Sequence, residues 1–77
     1  MKTYRDLARE FVDALRRENA ETQKQIDQIV RTGMRIGERP SGGCWVDVTD
    51  REIMSLKCEI SSRERTIARL EEELRAL

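Results

Sequence analysis

Few residues of this 77-residue chain have types and spacings that could do chemistry. There is no histidine, which removes imidazole acid–base catalysis, Cys–His nucleophile pairs and the commonest metal ligand. Cys44 and Cys58 are not spaced as a metal-binding pair and are too few for a disulfide framework. One falls in a loop and one on a helix, and a reduced, small apolar role suits both better than a bridge. Glu71, Glu72 and Glu73 are acidic enough for a cation, but consecutive helical positions fan around the axis and do not converge. One constellation hints at an anion site: Gly42 and Gly43 with Arg35, Arg39 and Arg51 nearby. Glycine amides, guanidinium forks and the start of a helix can cradle a phosphate. An ordinary turn needs the same glycines, and no Walker or dinucleotide pattern is present. These residues imply no cofactor, no metal and no enzyme, because no nucleophile–base pair or ligand cluster can be assembled from them.

The elements that would position these residues follow from composition and punctuation. Hydrophobic residues make up 38% and charged residues 39%, with one Phe, one Tyr and one Trp. That mixture suits helices with one apolar stripe and a charged exterior, and suits a sandwich or barrel poorly. Fifteen Lys and Arg balance fifteen Asp and Glu, whereas a dedicated nucleic-acid binder carries a basic excess. No stretch approaches the roughly 18 apolar residues of a membrane span, and Met1–Asp6 leads into charged helix without an apolar signal core. The expected location is the cytoplasm, with both thiols reduced. A chain this small usually needs a staple or a partner to fold stably. With no disulfide framework or metal site, self-association is the remaining remedy.

Thr3 followed by Asp6 resembles a helix start. Neither proline nor glycine interrupts the chain from Tyr4 to Thr32, and Gly33 supplies a left-handed stop. Residues 37–43, Gly-Glu-Arg-Pro-Ser-Gly-Gly, read as a turn. The flanks 34–36 and 44–48 either pair as a short β-hairpin or stay irregular. Thr49-Asp50-Arg51-Glu52 reads as a capping box opening a second helix, with Val48 and Ile53 as its hydrophobic staple. The expected fold class is all-α: one helical-hairpin domain over 1–77, with helices over about 4–32 and 50–77 and a connector over about 33–48.

The second helix carries Ile53, Leu56, Ile60, Arg63, Ile67, Leu70, Leu74 and Leu77 at alternating spacings of three and four, a heptad seam. The first carries Ala8, Val12, Leu15, Asn19, Thr22, Ile26, Ile29 and Gly33 at the same alternation. Equal lengths and a short connector make the two an antiparallel coiled-coil hairpin. In one register Gly33 faces Thr49, where one helix stops and the other starts. That register pairs Ile29 with Ile53, Ile26 with Leu56, Thr22 with Ile60, Leu15 with Ile67, Val12 with Leu70 and Ala8 with Leu74. It also sets Asn19 opposite Arg63, so the polar breaks of both helices fall in one layer. Glu18 or Glu59 can add a carboxylate there. The layer reads as a register lock, the alternative being an Arg63 that snorkels to solvent.

One seam does not use all the apolar residues. Tyr4, Leu7, Phe11 and Ala14 form a second stripe near the free end of the first helix. Val30, Met34, Trp45, Val46, Met54 and Cys58 form a cluster at the loop end. Exposed apolar patches of this kind usually mark interfaces. Nothing in the chain is available to cover Tyr4, Leu7 and Phe11, which are the expected homodimer contacts joining two hairpins into a four-helix bundle. Met34, Trp45, Val46, Met54 and Cys58 are the candidate surface for an unidentified protein partner, unless the loop folds back over Met54 and Cys58. The functional expectation is therefore a non-enzymatic interaction module. Small proteins of this shape look like regulators, adaptors or phage-encoded inhibitors of host machinery, an analogy of size and architecture only. The alternative is a nucleic-acid, nucleotide or anion-binding module using Arg31, Arg35, Arg39 and Arg51. A third reading is a purely structural segment of a larger assembly, against which the Met1 start and its helix cap argue for a complete small protein.

Overall fold

Helix α1 spans Tyr4–Thr32 in the computed structural model, which describes residues 1–77. Its start is fixed by a reciprocal capping box. The Asp6 amide donates to the Thr3 hydroxyl at 3.2 Å, and the Thr3 amide donates to the Asp6 carboxylate at 3.3 Å, so two otherwise orphaned N–H groups are satisfied. Gly33 ends the helix in the left-handed region at φ 68°, which costs a glycine nothing. A two-residue ladder follows: β1 (Gly37–Glu38) pairs antiparallel with β2 (Val46–Asp47), Gly37 opposite Asp47 and Glu38 opposite Val46. Helix α2 then runs Thr49–Ala76. No helix is long and apolar enough to cross a membrane.

The two helices pack antiparallel along the expected seam. On α1 the buried residues are Ala8, Val12, Leu15, Thr22, Ile26 and Ile29. On α2 Ile67 is buried, and Ile53, Leu56, Ile60, Arg63, Leu70 and Leu74 are half-buried. Val12, Leu15 and Ile67 form one cluster with Leu70 packed against it, which places the Leu15–Ile67 and Val12–Leu70 layers in the expected register. Gly33 and Leu77, the two ends of the heptad pattern, are exposed.

Two details differ from expectation. The first strand lies at 37–38, inside the segment read as turn, and not at 34–36. Ile36 instead extends the pairing, accepting from the Val48 amide at 2.8 Å. The start of α2 is also not the expected capping box. The residue preceding the helix is Val48, and no side-chain cap reaches from it. The Thr49 hydroxyl is engaged elsewhere, donating to Asp47 Oδ1 at 2.6 Å and accepting from the Ile36 amide at 2.7 Å. Asp47 takes over the capping role by accepting from the Thr49 amide at 3.0 Å. An Asp side chain bonding the backbone two residues on is an ordinary helix-entry device.

Candidate interaction surfaces

The polar layer at the middle of the seam assembles around Arg63. Its Nη1 donates to Thr22 Oγ1 at 3.0 Å and to Asn19 Oδ1 at 3.4 Å. Its Nε lies 3.2 Å from a Glu18 oxygen and its Nη2 3.9 Å from a Glu59 oxygen. Asn19 in turn donates to the Ile60 carbonyl at 3.4 Å. Every guanidinium nitrogen therefore has a partner, and no buried side-chain nitrogen or oxygen is left without one. Thr22 is the closest partner, a residue that seam periodicity alone pairs with Ile60. The long Arg63 side chain reaches past its own layer, so register places the backbone and not the donor.

A second polar knot closes the loop. The Asp47 carboxylate accepts from the Thr49 hydroxyl and amide through Oδ1, and from Arg35 Nε at 2.8 Å through Oδ2. These bonds, the Thr49 hydroxyl first, hold its carboxyl well below the usual range, at about 2. Thr49 is the most buried residue of the chain. Asp47 and Thr49 are two positions that sequence reasoning missed as a unit. The signal was an Asp two residues before a Thr at a helix start, which competes with the capping-box reading of the same Thr.

Two of the three arginines of the candidate anion cradle are engaged by carboxylates. Arg35 is paired with Asp47 at 2.7 Å and Arg51 with Glu38 at 2.8 Å; the Glu38 carboxylate raises the pKa of the Arg51 guanidinium. The Gly43 amide donates to the Pro40 carbonyl at 2.8 Å, and Gly42 adopts φ 72°, so both glycines serve the turn. Of these three arginines only Arg39 makes no ion pair, and Arg31 at the end of α1 makes none either. The loop carboxylates neutralise the charge that a phosphate would need. The carboxylates of Glu71, Glu72 and Glu73 do fan out, to Arg16, Arg75 and the Tyr4 hydroxyl respectively.

The apolar surfaces remain open. Tyr4, Leu7 and Phe11 are each more than half exposed, as are Val30, Trp45 and Met54. Met34 and Val46 are nearly so, and both cysteines are exposed and free. The loop does not fold back over α2: Met54 keeps 62% of its surface. Trp45 turns instead toward the facing strand, where its indole lies over Gly37 so closely that a Cβ at that position would overlap it. The ring rests against that strand, and the residue as a whole is still 54% exposed.

The two patches occupy different sides of the rod. Tyr4 bonds across to Glu73 at 3.1 Å on one flank of the seam, and Arg16 bonds across to Glu71 at 2.7 Å on the other. Leu7 and Phe11 continue the Tyr4 flank. Val30 lies two heptads on from Arg16 and shares its flank with Met54, by helical periodicity. One patch is thus at the open end and the other at the loop end, on opposite flanks. The α-carbon radius of gyration is 17.5 Å, against about 11–12 Å for a compact domain of this length. The accessible surface is 6042 Å², about 1,200 Å² more than a monomeric protein of 9.0 kDa typically exposes.

No family model, curated protein or solved structure matches the chain.

Proposed function

We propose that the hairpin is a non-enzymatic protein–protein interaction module: it pairs with itself through the open-end stripe and occupies the surface of another protein with its loop-end patch. The observation that carries this reading is the surplus of about 1,200 Å² of accessible surface over a compact monomer of the same mass. A standard interface removes about 800 Å² from each partner, so the surplus is of the size that association covers. Only nine residues are buried, too few for a core that would make the isolated hairpin robust. Two hairpins joined along this stripe bring four helices together at their open ends, a short four-helix layer. The loop-end patch has the composition of an interface centre, one Trp and two Met with an aliphatic surround, and its Trp rests against Gly37. Pre-positioning an aromatic anchor lowers the ordering cost of binding.

The test is a comparative capture in the native cellular background, using the full chain and a Trp45→Ala/Met54→Ala double variant as baits. The expected result is a protein retained by the first and lost to the second at least tenfold, with the helicity of both baits equal. Equal retention by both would remove the loop-end patch from the reading.

A further inference from the structure

The stripe Tyr4, Leu7, Phe11, Ala14 is self-complementary when a second copy of α1 lies against it antiparallel. In that orientation residue numbers rise on one helix as they fall on the other. The three–four–three spacing then maps onto itself, with Tyr4 facing Ala14 of the second copy and Leu7 facing its Phe11. The largest side chain meets the smallest, and two intermediate ones meet each other, which is the pattern that fills an interhelical layer without voids. In a parallel pairing each residue would instead face itself, ring against ring at Tyr4 and Phe11 and a gap at Ala14. The parallel pose would also carry Glu18 and Glu21, which continue the flank toward the loop, against their own copies, where like charges repel. The antiparallel pose runs out of partner helix before either is reached, because the second copy's α1 begins at Tyr4. Tyr4 can be covered without stranding its hydroxyl, which already donates to Glu73 in its own chain.

We propose, resting on the homodimer reading above, that the second copy docks on this flank by an isologous contact at the open ends. The two-fold axis crosses α1 at the level of Arg9, and the two loops point to opposite ends of an elongated dimer. A two-fold contact of this kind closes on itself and leaves no free copy of the stripe. It also places the two loop-end patches at the far tips, free for partners and unable to engage one small target together.

The native cysteines test this without touching the interface, since both are exposed. A spin label is placed on Cys58 in a Cys44→Ser chain, and on Cys44 in a Cys58→Ser chain. Light scattering gives the mass and pulsed dipolar spectroscopy the label-to-label distance. Cys58 lies level with Lys24 in the seam register, so its axial separation from its copy is about 45 Å at 1.5 Å per residue. Cys44 lies beyond Gly33, which gives at least about 70 Å. A dimer with that lengthening from Cys58 to Cys44 supports the antiparallel open-end contact. A dimer in which both distances stay below about 50 Å and differ little, twice the 27 Å breadth of one rod, overturns it while leaving self-association standing. A monomer overturns both the contact and the homodimer reading.

Discussion

Asp47 holds the junction between the loop and α2 through its carboxylate, and its ionisation is therefore tied to the fold. Its pKa is lowered from 3.8 to about 2, first by the Thr49 hydroxyl, then by the Thr49 amide and by Arg35. A group whose folded pKa is depressed stabilises the fold above its unfolded value, and that contribution is lost as pH falls through the folded one. The Thr49 amide resonance of the folded chain is thus expected to hold its position through pH 4 and to move with its midpoint near pH 2; in Asp47→Asn the transition disappears. Gly37 makes a second residue-scale prediction. A methyl group there collides with the Trp45 indole, so Gly37→Ala is expected to shift the emission of the only tryptophan while the helical circular dichroism stays within a few per cent. An unchanged emission spectrum would mean that the indole does not rest on Gly37. These two interactions were not legible in the sequence. Thr49 has a local partner in Glu52 and a distant one in the Ile36 amide, and only the folded loop decides between them.

The helices were legible because their pattern is a property of the backbone. Three–four spacing fixes which side chains share a face, and the break at Asn19 and Arg63 fixes the register. Gly33 ends α1 for a reason visible in one residue. The strand pair was less legible, since two residues on each side carry no periodicity to read. At the Arg63 layer, periodicity placed the backbone but not the guanidinium, which takes Thr22 as its nearest acceptor. The layer offers specificity more than stability. Removing one partner of a buried ion pair is costly when it strands a buried charge, but here the Arg63 side chain is 23% exposed and its carboxylate partners Glu18 and Glu59 are 59% and 50% exposed, so no buried charge is stranded. Arg63→Leu is therefore expected to change stability by no more than about 1 kcal/mol in either direction, roughly 4–8 °C in Tm. It should at the same time admit a second helix register, visible as doubled amide resonances in the NMR spectrum. A destabilisation above about 2 kcal/mol with a single set of resonances would make the layer a stability device instead.

As a whole the molecule is a rod of 55 × 27 × 21 Å, apolar at opposite ends on opposite flanks and neutral overall. An association driven by apolar contact depends little on salt, whereas one driven by arginine–phosphate contact collapses as salt rises. The ion pairs of Arg35 and Arg51 with loop carboxylates favour the first kind. The most direct measurement is the solution mass of the full chain by light scattering, at low and high salt, beside that of Phe11→Asp. A wild-type mass near 18 kDa, twice the 9.0 kDa of one chain, is expected at both salts, with Phe11→Asp falling to a folded monomer. A wild-type chain that stays at 9.0 kDa at every concentration while fully helical would contradict the account.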